Sequence, residues 1–259
     1  MAAWLPLLCL MLLATLAVPP QPVLAAPGMV SWWQAENNAN DSVGSNHGTL
    51  IGQAPYGTGV AGKGFQLNGI NEFINIPHSA SLNFGAADFS VGLWVKFVNV
   101  SSQQILIEKY IETEVISTRQ GWGLVYLGHN TLRLYGPINN YPASIIDASP
   151  STPIVTGTWY YAVVTRLGDT FTLYWNGEVL GTRDASLNLD TSPTTTLKIG
   201  HRGNPQDTPG SVDTRGFYLN GMVDEVGIYL HALGSSEIAY LYKLGNSPKQ
   251  TAKTAVIPF

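Results

Sequence analysis

Residues 217–242 read FYLNGMVDEVGIYLHALGSSEIAYLY, and the reading of this stretch constrains the rest of the chain. Its first half alternates with period two, the pattern of a strand with one face toward a core. On a regular strand Met222, Asp224, Val226 and Ile228 share one face, and Val223, Glu225, Gly227 and Tyr229 the other. Asp224 is then a carboxylate on an apolar face. An isolated buried charge is costly, so this group must be neutralised, hydrogen-bonded or matched with a cation. After Tyr229 the pattern becomes that of a helix of about one and a half turns. Gly234 takes the N-cap position and Glu237, three residues on, supplies half of a capping box. Leu233 and Ile238 hold the two positions of a hydrophobic staple, and Ile238, Leu241 and Tyr242 have helical spacing.

The chain has 259 residues, room for one large all-β domain or two small ones. Hydrophobic content of 45% suffices for a core, while 12% charged residues is low, so Ser, Thr, Asn, Gln and Gly must cover the surface. A net charge of −4 with no run of Lys or Arg argues against nucleic acid and against an anionic membrane. Residues 1–26 read as a secretory signal peptide. Leu5 to Val18 is an apolar run too short for a bilayer span, Pro19, Pro20 and Pro22 break it, and Val23-Leu24-Ala25 offers a small-residue cleavage site. Neither Lys nor Arg stands near Met1, which departs from the usual signal; the competing reading is a buried N-terminal segment of the core. Cys9, the single cysteine, lies inside this segment. The mature chain is therefore expected to lack disulfides and to rely on core packing or a metal. Residues 246–259, polar and broken by Pro248 and Pro258, read as a linker or tail.

Between these ends one domain is expected, residues 28–245, with no internal repeat. Val30 to Gln34 is a first strand. Ala35 to Leu50, AENNANDSVGSNHGTL, is a loop dense in turn formers. Gly57 to Gly64, GTGVAGKG, superficially matches a phosphate-binding loop, but Gly64 stands where Ser or Thr should ligate magnesium, and a strand follows where a helix should. In Asp88 to Phe97, Phe89, Val91, Leu93, Val95 and Phe97 form a core face and Trp94 lies on the other. Strands are also expected at Gln104 to Tyr110, Gly121 to Leu127 and Thr131 to Tyr135, and a proline-rich rim loop from Gly136 to Gly157. Trp159 to Arg166 and Phe171 to Asn176 form a pair, with Asn176-Gly177 a tight turn into Glu178-Val179-Leu180. His201 to Gly216 is a second polar loop. About thirteen strands and one short C-terminal helix make an all-β, two-sheet antiparallel sandwich.

These blocks resemble the laminin G-like jelly-roll domains of the concanavalin A-like lectin/glucanase superfamily, over roughly Val30 to Tyr242. The matching features are the Glu, Ala-Asn-Asp-Ser, Gly and Asn-His-Gly of the first loop; GKGFQL; Ser79 to Phe84; the Trp159 and Trp175-Asn176-Gly177 strands; and the final DE strand with HALGSSEI. Gly234 stands where the family has Ser, a change worth only a few tenths of a kcal/mol. Closely similar domains belong to extracellular, multidomain proteins. The resemblance implies a structural calcium ion held by Asp41 and Asp224, with carbonyls near Gly44 and Asn46. Calcium takes roughly six to eight oxygens; an Asn/Asp/Gly loop facing a buried Asp can supply them. On spacing alone Asp41 reads better as an ordinary turn residue.

The superfamily includes glycoside hydrolases, which need two cooperating carboxylates. The nearest candidates are Glu108, Glu112 and Glu114, the last two in a loop; Asp224 and Glu225 are sequential and point apart. No nucleophile motif occurs, and His47, His78, His129, His201 and His231 lack ligand spacing. The expectation is a non-catalytic, lectin-like binding module recognising carbohydrate or an extracellular protein partner, within a larger parent protein. The alternatives are a structural or adhesive spacer and, third, a glycoside hydrolase. Candidate ligand contacts are Trp122, Tyr126, Arg133 and Tyr135, with Tyr141 and Trp175 in the same segments. Trp122, Leu124 and Tyr126 share a strand face that reads equally as core. Arg133 and Tyr135 alternate with Leu132 and Leu134 and are expected to face out.

Overall fold

The computed structural model describes residues 27–115, 118–137, 144–191, 195–203 and 214–246. The expected signal peptide, the tail after Asn246, Tyr141 and the middle of the second polar loop lie outside the described residues. In chain order the strands are β1 (Met29–Trp33), β2 (Thr49–Ile51), β3 (Tyr56–Thr58), β4 (Lys63–Asn68), β5 (Phe73–Ile76), β6 (Phe89–Phe97), β7 (Gln104–Ile111) and β8 (Gln120–Gly128). They continue with β9 (Thr131–Tyr135), β10 (Ser144–Ala148), β11 (Trp159–Leu167), β12 (Thr170–Trp175), β13 (Glu178–Asp184), β14 (Leu197–Ile199) and β15 (Asn220–Tyr229). A 3₁₀ turn covers Ala80–Leu82, and α1 spans Ser235–Gly245.

The strands form two antiparallel sheets. An eight-stranded sheet runs β13-β12-β11-β6-β15-β4-β3, with β1 also paired to β15, and a seven-stranded sheet runs β10-β9-β8-β7-β14-β5-β2. This is a β-sandwich. Its interior is built from alternate residues of both sheets, as the period of two requires. Phe89, Val91, Leu93, Val95 and Phe97 of β6 all lie in the core, and Trp94 lies on the opposite face. From the other sheet come Trp122, Leu124, Tyr126, Leu132 and Leu134. Phe84 stacks on Phe89 at 4.2 Å and on Trp122 at 5.6 Å between ring centroids. Such pairs add about 0.5–1.5 kcal/mol each beyond the area they bury.

The eight-stranded sheet carries a second apolar layer on its outer face. Trp94, Tyr161, Val163, Tyr174 and Tyr229 are buried there with Leu233 and Ile238, and Leu241 and Tyr242 of α1 pack onto them. The helix starts as its sequence dictates: Gly234 N–H donates to the Glu237 carboxylate at 2.7 Å, and Leu233 and Ile238 are buried in one cluster. At 11 residues it is longer than the sequence pattern indicates. No helix among the described residues is long and apolar enough to cross a membrane.

The alternation expected along β15 fails at one point. Asp224 pairs with Trp94 and Gly227 with Gly92, so two residues, Glu225 and Val226, oppose Leu93 alone. Glu225 has a φ of 51°, and this bulge reverses the side-chain phase. Val223, Val226 and Ile228 therefore all enter the core. Asp224 does not share their face; it lies on the outer side beside Trp94.

Candidate functional site

Two regions concentrate charged chemistry. The first is formed where β1, the 35–48 loop and the β3–β4 turn meet β15. Asp41 is buried, and its Oδ1 accepts the backbone N–H groups of Trp32 (2.9 Å), Val43 (3.0 Å) and Gly44 (3.0 Å), while Oδ2 accepts that of Asn46 at 3.1 Å. Burial raises its pKa, but the N–H groups of Gly44, Trp32 and Val43 outweigh that and hold it below the ordinary 3.8. Asn46 is equally committed. Its Nδ2 donates to Ser31 and Ser81 hydroxyls, and its carbonyl accepts Trp33 Nε1–H at 2.9 Å. The structure thus brings Asp41, Gly44 and Asn46 together, but as a loop knotted by hydrogen bonds. Four N–H donors hold Asp41, three of them on Oδ1 and one on Oδ2.

Asp224 is held by different segments. Its Oδ2 accepts the Ala61 N–H at 3.1 Å and its Oδ1 the Glu225 N–H at 2.8 Å. Burial first, and the Glu225 charge second, push it up to about 8 from 3.8 against those N–H groups. Glu36 touches the same β3–β4 turn from another side: Lys63 N–H donates to Glu36 Oε1 at 3.3 Å. Glycine is required where the acids touch this turn. A Cβ at Gly59 would lie 2.3 Å from Asp224 Oδ2 and 2.5 Å from the Lys63 carbonyl, and one at Gly62 would lie 1.7 Å from Glu36 Oε1. No group of three or more His, Cys, Asp or Glu with metal-binding geometry occurs among the described residues. The GTGVAGKG segment that mimics a phosphate loop is this hairpin turn.

The second region is the outer face of the seven-stranded sheet. Cross-strand pairing places Asn75, Lys198, Glu108, Gly123, Tyr135 and Ser144 in one row, and Ile105, Val125, Arg133 and Asp147 in the next. Gly123 is what lets the row close up. A Cβ there would meet Tyr135 Oη at 2.2 Å, so the tyrosine crosses β8 and donates its O–H to Glu108 Oε2. Glu108 also accepts the Gly203 N–H at 2.8 Å. Arg202 lies between two acids, 3.4 Å from Glu108 and 3.1 Å from Glu112, and Arg119 holds the other Glu112 oxygen at 3.0 Å. The Arg202 guanidinium also sits over Tyr135, Phe217 and Tyr110. Burial raises the Glu108 carboxyl most, opposed by Arg202, Tyr135, Gly203 and Lys198.

The four expected ligand contacts separate accordingly. Trp122 and Tyr126 are 1% exposed and belong to the interior, which removes them as contacts; Tyr126 O–H donates to the Val100 carbonyl. Tyr135 is on the outer face as expected but buried at 4%. Arg133 also faces out and forms a two-bond pair with Asp147, at 2.7 and 2.6 Å. Sequence reasoning missed Arg202 and the contact of Glu36 with the β3–β4 turn. The Glu of the AENN block was a signal for Glu36; nothing in the sequence pointed to Arg202, which lies far along the chain from both its acids.

The laminin G model of the concanavalin A-like lectin/glucanases superfamily matches residues 68–239. Among solved structures, domain 4 of AbnA, an extracellular arabinanase from Geobacillus stearothermophilus in complex with arabinotriose, aligns with a TM-score of 0.61 at 19% identity, over 82% of this chain and 97% of that one. The binding domain of Paraclostridial Mosquitocidal Protein 1 gives 0.63 at 20% identity, over 83% of this chain and 52% of that one. The binding domain of botulinum neurotoxin DC, in complex with rat synaptotagmin II, gives 0.62 at 16%, over 84% and 52%. This chain thus spans about half of those toxin domains, and identities this low show the fold alone. No curated protein sequence matches the chain.

Proposed function

The chain belongs to the concanavalin A-like lectin/glucanases superfamily, and from that membership we propose that it is an extracellular, non-catalytic binding module that recognises carbohydrate through the outer face of its seven-stranded sheet. The observation that carries this reading is the contrast between the two outer faces. The middle of the eight-stranded sheet's outer face is covered by α1. On the other, the Arg133–Asp147 pair, with side chains 22% and 40% exposed, shares the face with half-buried Leu127 and Phe217. Planar polar groups next to apolar surface suit a sugar, which offers hydroxyls at its edge and C–H groups on its face. The relatives in fold include a domain bound to arabinotriose and one bound to synaptotagmin.

Glu108 supports the non-catalytic part. A carboxyl that is buried, capped by Tyr135 and clamped by Arg202 has no open path to a glycosidic oxygen. Glu112 shares the same guanidinium. Calcium remains part of the proposal, with Glu36 and Asp224 as its carboxylates and Asp41 organising the adjacent loop. Bound there, calcium would supply the positive charge that the buried Asp224 lacks. Export fits the chain's single cysteine and its leader-like residues 1–26.

A glycan array probed with the mature chain in calcium tests the reading, with Arg133→Ala alongside. Binding that falls at least tenfold in the variant, at unchanged melting temperature, is expected. No binding to any glycan would sink it and leave the spacer reading, which the burial of Trp122, Tyr126 and Tyr135 favours.

A further inference from the structure

One buried amine is used by neither region. Lys109 of β7 is 0% exposed. It points inward, its β8 partner being the core residue Trp122. Its Nζ is 2.9 Å from Asn83 Oδ1 and 3.2 Å from His78 Nδ1, and it also bonds Thr191 Oγ1. No external substrate reaches a group so enclosed, so its available electrophile is the Asn83 side-chain amide. With a C=O length of about 1.23 Å, Nζ stands about 3–4 Å from the Asn83 carbonyl carbon, close to a near-attack separation.

The amide is oriented and polarised for this chemistry. Asn83 Nδ2 donates to the Thr191 carbonyl at 3.1 Å, turning Oδ1 toward the amine. Oδ1 accepts the Thr191 N–H at 3.2 Å and the Thr191 hydroxyl at 2.9 Å. These two donors would hold the oxygen as negative charge builds on it. We propose that Lys109 and Asn83 become joined by an intramolecular isopeptide bond. The lone pair of neutral Nζ attacks Asn83 Cγ and a C–N bond forms. The resulting tetrahedral carbon then expels Nδ2, and ammonia leaves. His78 Nδ1 takes the proton lost from Nζ, and one proton passes to the departing nitrogen. Amine and primary amide become secondary amide and ammonia, with no oxidant or cofactor.

Both participants are suited to their roles. Burial chiefly, and Lys198 secondarily, lower Lys109 to about 8 despite Asp190, so a neutral fraction is available near neutrality. Burial and then the Lys109 charge lower His78, keeping it an acceptor. The bond would tie the segment after β5 to β7 in a chain whose only cysteine is Cys9.

Intact-mass spectrometry of the purified mature protein, with a tryptic map, decides the matter. The expected result is a mass short by one ammonia, with cleavage after Lys109 blocked and the peptide of residues 64–96 joined to that of residues 97–119. Asn83→Ala and Lys109→Arg should each restore the full mass. An unmodified mass with normal cleavage after Lys109 in folded wild-type protein overturns the proposal. So does an ammonia deficit that survives Lys109→Arg, which would place a succinimide at Asn83. The wild-type map suffices if a variant fails to fold.

Discussion

The most exacting prediction concerns Asp224 in chelator. Burial and Glu225 push its carboxyl up to about 8, whereas the unfolded chain titrates it near 3.8. Between those values the folded protein binds more protons than the unfolded one, so metal-free stability falls as pH rises from about 4 to about 8. At about 1.4 kcal/mol per pKa unit the loss is bounded at roughly 6 kcal/mol. Relaxation and water entry leave ~2–3 kcal/mol of it, since effective interior dielectrics exceed the dry value. For a domain of this size that is about 5–10 °C of melting temperature. Asp224→Asn keeps the shape and removes the charge, but sets an NH₂ against one of the two N–H donors, at ~1 kcal/mol. The variant should therefore melt no higher than wild type at pH 5 and ~1–2 kcal/mol more stably at pH 8. The opposite pH dependence of His78 and the parallel one of Glu108 are common to both proteins and cancel in the difference. Calcium needs the ionised carboxylate, so adding it at pH 8 should raise wild type and leave Asp224→Asn in place. Scanning calorimetry across pH 5–8 reads all of this. If wild type loses nothing relative to the variant over that range, the account of Asp224 is wrong.

Two further outcomes follow from burial and hydrogen bonding. Asp41→Ala should cost about 2–4 kcal/mol by urea unfolding, because it strands four backbone N–H groups. Its native pKa is lowered, so the wild-type advantage should hold above pH 4 and shrink as pH falls below it. Trp122→Ala should cost about 3–5 kcal/mol as a core cavity, while partner affinity per folded molecule, measured by titration calorimetry, stays unchanged; a selective loss of affinity would put Trp122 back at a binding surface.

Legibility in the sequence tracked how local each feature is. The core face of β6 could be read directly, because Phe89 to Phe97 alternate without interruption and Trp94 is the odd residue. The start of α1 could be read because Gly234, Glu237, Leu233 and Ile238 lie within a few positions. The bulge at Glu225 could not. One extra residue leaves the composition unchanged, and a non-glycine at positive φ gives no signal, so Asp224 was assigned the wrong face. Trp122 and Tyr126 were ambiguous because an aromatic stripe looks the same whether it meets a sugar or the opposite sheet. Arg202, Glu108 and Glu112 are assembled by pairing across the sheet and by a long loop, which spacing along the chain does not encode.

The placement of α1 has a consequence for how such a module is mounted. Both ends of the described chain gather behind the eight-stranded sheet: β1 is annealed to β15, Leu230 N–H reaches the Gly28 carbonyl at 2.9 Å, and α1 lies across the back. Residues 27 and 246, where the described chain begins and ends, thus both lie on the side of that sheet. Among the described residues, neither β1 nor α1 reaches the outer face of the seven-stranded sheet, so that face and the mounting points lie on opposite sides of the sandwich.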